Sequence, residues 1–121
     1  MGKFVPNNTI DKLLTEVATS SRMDVTSDVS TPTDLTNTLA NTAMTPGDTN
    51  DYTIADGDVS GRKVTMAQKT GVAITGTGTA LHIILSLAAV IIDITTCTSQ
   101  ALTSGGTVTF PAWDHEVLDP S

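Results

Sequence analysis

Near the start of the chain the hydrophobic positions follow a helical period. Ile10, Leu13, Leu14, Val17 and Ala18 fall at i, i+3, i+4, i+7 and i+8, which makes one apolar stripe. The spacing predicts a helix over 9–19, with Asn8 or Thr9 as its N-cap, Asp11 near its positive end and Thr19-Ser20-Ser21 as its stop. Three turns are marginal alone in water, so the stripe must dock on the domain or on a partner. After a short extended piece over 23–26 the pattern loosens. Leu35, Leu39 and Ala43 keep an i, i+4, i+8 spacing, but Thr and Asn residues between them disfavour helix, and Pro32, Pro46 and Gly47 interrupt the run. Residues 23–54 therefore read as an extended acidic arm.

From residue 55 the period changes to two. Asp56-Gly57-Asp58 and Ser60-Gly61 are turns. A strand is expected over 62–67, with Val64 and Met66 on one face and Lys63 and Thr65 on the other. Further strands are expected over 72–75, 80–85, 90–96 and 107–110, the last stopped by Pro111. Short strands separated by Thr and Gly point to a mainly β chain: a β-sandwich or jelly-roll-like body over 55–121, preceded by a helical segment (1–22) and the arm (23–54), all in one domain. Thr is close to a fifth of the residues, and its β-branch suits a half-exposed pleated surface.

The central apolar tract suggests a register. If 80–85 and 90–96 turn around 86–89, Leu85 faces Val90, Ile84 faces Ile91, and His82 faces Asp93, so the one ionisable residue of each strand would meet its counterpart. The tip of that hairpin, Ser86-Leu87-Ala88-Ala89, is apolar where turns normally carry Asn, Asp or Gly. Either the turn is tucked in, or it is a hydrophobic tip for a neighbouring subunit.

Composition narrows the partners. The 121 residues carry a net charge of −7, and no Lys or Arg follows Lys69. Between Arg22 and Arg62 there are seven Asp and no cation. Such a chain is ill suited to nucleic acid or to an anionic membrane, both of which reward Lys and Arg. The apolar run 81–94 is too short to span a bilayer as a helix, and it includes His82, Ser86 and Asp93. The start lacks the pattern of a secretory signal, and Pro6 stands where a myristoylation motif wants Ser or Thr. Aromatic residues are only 3%, so the core must be aliphatic, and part of the stability is expected from association.

Candidate chemistry is thin. His82 and Asp93 have the types of a base and its orienting acid, but Ser86 would lie at the hairpin tip, remote from them. Asp114-His115-Glu116 alternates faces on a strand, so it reads better as a solvated tail than as a metal patch. Asp56-Gly57-Asp58, with Asp48 and Asp51, lacks the spacing and closing Glu of a calcium loop. Gly76-Thr77-Gly78 precedes a strand, not the helix a phosphate loop needs. The single Cys97 has no nearby base and cannot form an intrachain disulfide. We expect no enzyme, no cofactor and no metal.

Four segments together carry a resemblance: Ala55-Asp56-Gly57-Asp58-Val59-Ser60-Gly61-Arg62-Lys63-Val64-Thr65, Gly78-Thr79-Ala80-Leu81-His82, Thr95-Thr96-Cys97-Thr98-Ser99-Gln100-Ala101-Leu102-Thr103-Ser104-Gly105 and Pro111-Ala112-Trp113-Asp114. In order and spacing the chain resembles the head decoration (cement) proteins of tailed bacteriophages over most of 9–120. The resemblance implies a β-rich protein on the capsid exterior that clamps neighbouring major capsid subunits, its partners being the major capsid protein and further copies of itself, as dimer or trimer. Relatives of this kind carry polar turn residues at the hairpin tip, and this chain does not. On this reading the contact residues are Ile10, Leu13, Leu14, Val17, Leu87, Ala88, Ala89 and Trp113, with residues 1–50 supplying much of the capsid contact and the β-body the self-association. Deleting 1–22 should then abolish capsid binding. The rival is a tail-associated or host-adhesion β-module, for which Trp113 is the lone aromatic platform.

Overall fold

The computed structural model describes residues 5–119. One helix, α1 (Asn7–Val17), is followed by nine strands: β1 (Arg22–Thr26), β2 (Thr38–Ala43), β3 (Tyr52–Asp56), β4 (Arg62–Met66), β5 (Lys69–Ala73), β6 (Gly78–Leu87), β7 (Val90–Leu102), β8 (Thr107–Phe110) and β9 (Trp113–Val117). They form three antiparallel sheets, ordered β2-β1-β6-β7, β3-β4-β9 and β5-β8. The chain is thus mainly β, sandwich-like, with a short N-terminal helix.

The helix follows its stripe. Ile10, Leu14 and Val17 are buried against the sheets. Pro6 precedes the first turn, and no described side chain caps it; the expected caps Asn8 and Thr9 lie inside the helix. What fixes α1 is tertiary. Arg62 on β4 holds the Asp11 carboxylate at 2.7 Å while its other arm holds Asp56. Beyond the helix, the Tyr52 hydroxyl donates to the Ser20 carbonyl at 2.7 Å, with the tyrosine fully buried.

The tract 23–54 is not the extended arm its composition suggested. It supplies β1, β2 and β3, and places Met23, Val25, Leu39, Ala40, Met44 and Tyr52 in the core. Only 27–37 and 44–51 are irregular. β1, expected as a short extended piece over 23–26, turns out to be an inner strand. Met23 and Val25 point into the core, and Asp24 alternates to the other face of the sheet. There the buried carboxylate is held by both arms of Arg22, at 2.7 and 2.6 Å, and by the Thr38 hydroxyl at 2.8 Å. A buried charge so paired is tolerated, but it breaks the apolar run that marks a central strand. Likewise, the expected solvated tail at 114–116 is part of β9, which pairs with β4 from Arg62↔Val117 to Met66↔Trp113.

The β6–β7 hairpin turns later than the sequence suggests. Leu87 faces Val90, so only Ala88 and Ala89 make the loop, with φ of 49° and 68°. Two positive φ angles are what a two-residue type I′ turn demands. For alanine the left-handed region costs about 1–2 kcal/mol per residue. Moving the turn slides β7 by two positions, and a bulge, where Leu85 faces Asp93 but Ser86 faces Ile91, adds a third. His82 therefore faces Thr96 and not Asp93. The expected His82–Asp93 pair does not exist.

Candidate interaction surfaces

Each strand of the hairpin delivers its polar residue elsewhere. His82 Nδ1 lies 2.8 Å from the Asp28 carbonyl, tying β6 to the 27–37 loop. Asp93, nearly buried, accepts from the backbone N–H of Ile94 and meets His115 Nδ1 at 2.9 Å, which joins the edge strand β7 to β9. Ser86 is buried opposite Ile91, its Oγ without a hydrogen-bond partner among the described residues. His82, Asp93 and Ser86 are not brought together.

The acidic residues are used mostly as structural partners. Asp11 and Asp56 share Arg62, Asp58 and Asp114 flank Lys63, and Asp51 takes Lys69 at 2.8 Å. Burial opposes the Asp51 charge. Hydrogen bonds from Lys69 and the Thr45 N–H outweigh it and hold the carboxyl below its ordinary pKa. The backbone N–H of Thr36 does the same for Asp34. Asp48 accepts from the Ile54 N–H, and Glu116 from the Val59 N–H. Among the described residues no group of three or more His, Cys, Asp or Glu side chains is placed to hold a metal ion, and no helix is long and apolar enough to cross a membrane.

Four cations, Arg22, Arg62, Lys63 and Lys69, are thus neutralised internally. Glu16, Asp28, Asp34, Asp48 and Asp119 meet no cation among the described residues. The charge presented outward is therefore acidic, more one-sidedly than the composition alone says.

The expected contact residues separate into two groups. Ile10, Leu14 and Val17 are spent on the core and present nothing to a partner, whereas Leu13 on the outer face of α1 is 53% exposed. At the hairpin tip, Ala88 and Ala89 are exposed, and Leu87 and Val90 beside them are 39% and 62% exposed. Val90, the first residue of β7 where the sequence placed a strand, also belongs to this patch. Trp113 is half-buried, opposite Met66, and its indole N–H finds no acceptor among the described residues.

The tip is one of two apolar features on the hairpin. Farther along, the sandwich opens between β7 and β8 into a cleft of about 160 Å³, lined chiefly by Val25, Ala80, Ile83, Cys97, Val108 and Phe110. It continues past Pro111 towards Trp113. Burial pushes the Cys97 thiol pKa up, as expected for a thiol in an apolar wall. No sequence signal announced this cleft, because its walls come from four separate strands. Comparison of the chain with protein-family models, with curated proteins and with solved structures finds no match.

Proposed function

We propose that this chain is a structural virion protein that binds the outer surface of a bacteriophage capsid and clamps neighbouring major capsid subunits. The observation that carries the proposal is the outward charge. Four of the chain's own cations are locked to its carboxylates, so the acidic surplus is left for a partner with a basic surface. A phosphate backbone repels such a surface, which supports a position on the outside of a DNA-filled shell rather than inside it. The resemblance of segments 55–65, 78–82, 95–105 and 111–114 to decoration proteins supplies the class of partner. The exposed apolar tip and Leu13 add surface that protein contacts can desolvate.

The helix core changes the proper test. Deleting 1–22 would remove Ile10, Leu14 and Val17 from the core, so loss of binding would report unfolding. Point charges on the surface are cleaner. Empty shells of major capsid protein, incubated with the purified chain and sedimented, should carry it at regular lattice positions. Retention should fall several-fold for Asp34→Lys or Glu16→Lys, and fall with added salt. Failure of the wild-type chain to co-sediment with shells, or particle images with its density confined to the tail, would overturn the proposal, the latter in favour of an adhesion module.

A further inference from the structure

The β6–β7 hairpin carries an apolar knob at its end and an apolar socket on its flank. The knob, Leu87-Ala88-Ala89-Val90, holds two alanines in a backbone conformation that asparagine and glycine adopt far more easily. It also keeps Leu87 and Val90 in water. Both features burden the isolated chain, and neither contributes to its core. Strained positions of this kind persist where the surroundings or the function require them.

The socket is the cleft beside Cys97. Its volume, about 160 Å³, is that of an apolar cavity able to take one benzene-sized group, and so one Leu or Val side chain. Neither knob nor socket contains a charged residue, in a chain with 19 of them. Contact there desolvates no charge, whereas contact almost anywhere else between two copies sets acidic groups against one another. The knob cannot reach its own socket. Val90 and Cys97 lie on the same strand seven residues apart, roughly 20 Å at the rise of a β-strand.

We propose that the hairpin tip of one copy of this chain seats in the β7–β8 cleft of a second copy. The contact is head-to-tail: each copy offers one tip and one cleft, so repetition closes a ring or extends a row. The buried area is on the order of a few hundred Å², below the roughly 800 Å² per partner of a standard interface. Dissociation in dilute solution is therefore fast, and copies held close together on a surface gain most from the contact. The proposal does not depend on what that surface is.

Cys97, the chain's single cysteine, lines the cleft and allows covalent capture. One copy carries Val90→Cys and Cys97→Ser, with a thiol only at the tip. The other is wild type, with a thiol only in the socket. Mixed at mildly alkaline pH with copper–phenanthroline in air, the two should give a 1:1 disulfide-linked species joining position 90 to Cys97, with nothing larger. The link is confirmed by peptide mass mapping. Thr98→Trp in the wild-type partner, which fills the cleft mouth from an exposed position, should cut the yield at least tenfold. Ala88→Asn/Ala89→Gly in the tip copy should raise its thermal midpoint yet lower the yield. Cross-linking only between two tips, a yield unchanged by Thr98→Trp, or no cross-link between folded copies would each overturn the proposal. All three arms use purified chain alone, so their failure leaves the capsid test standing, and failure of the capsid test leaves them standing.

Discussion

Tyr52 shows what a single polar atom does in a core this poor in rings. Its side chain is fully buried, and its hydroxyl satisfies the Ser20 carbonyl just where the chain leaves the helix for β1. Burial pushes the phenol up to about 12 from 10.0, because the charged form has no solvent. The sign for stability follows. A folded pKa above the unfolded one means that the neutral phenol favours the fold below pH 10. That contribution is lost as pH rises from 10 towards 12. Absorbance at 295 nm, which reads the chain's one tyrosine, should therefore show only about a tenth of it ionised at pH 11 while the protein stays folded, where a free phenol is mostly ionised. Tyr52→Phe keeps the ring but strips the carbonyl of its donor, at a cost of about 1–2 kcal/mol by urea unfolding. A loss under 0.5 kcal/mol, on the order of the error in such measurements, would mean that water replaces the hydroxyl.

Among the elements, α1 separates packing from exposure most sharply. Leu13 and Leu14 are neighbours in sequence, one 53% exposed and the other fully buried. Leu14→Ala should cost about 2–5 kcal/mol and Leu13→Ala about 0.5 or less, read from denaturant midpoints. Equal losses would mean that the outer face of the helix is also covered. The helix itself was legible from period alone, as were β4, from the alternation of Val64 and Met66, and β8, from the stop at Pro111. β1 was legible as a short extended piece over 23–26, although Asp24 hid its place inside a sheet, whereas β2, Thr38–Ala43, was not legible, because it holds Asn and Thr at its solvent positions and reads as loop. The hairpin register was lost for a different reason. Alanine gives no turn signal, and a bulge has no signature in a run of isoleucines. The apolar tip could be seen as unusual, but the cleft could not, since it exists only once β1, β6, β7 and β8 are assembled.

At the scale of the whole molecule, carboxylates held ionised by hydrogen bonds make the fold sensitive to acid. The Asp51 carboxyl is held below its unfolded value of 3.8, chiefly by Lys69 once burial is overcome, and that of Asp34 is held below it by Thr36. Between the folded and unfolded values the unfolded chain binds more protons, so stability rises with pH there. The stabilisation is fully present above about pH 4 and disappears as pH falls through the lowered folded values. Thermal midpoints measured from pH 6 to pH 2 should drop below pH 4, and less steeply for Asp51→Asn than for wild type. An equal slope would place the acid sensitivity in other carboxylates. A last consequence lies in the strand order. β1 is sandwiched between β2 and β6, and β4 between β3 and β9, so these two inner strands each wait for a partner made much later. Loop closure over such distances slows folding into the range of milliseconds to seconds. On the ribosome, Met23 and Val25 emerge well before β6 exists to cover them, and β4 emerges well before β9. Until β6 and β9 have emerged, the nascent chain depends on chaperones or on its own charge to stay apart from its neighbours.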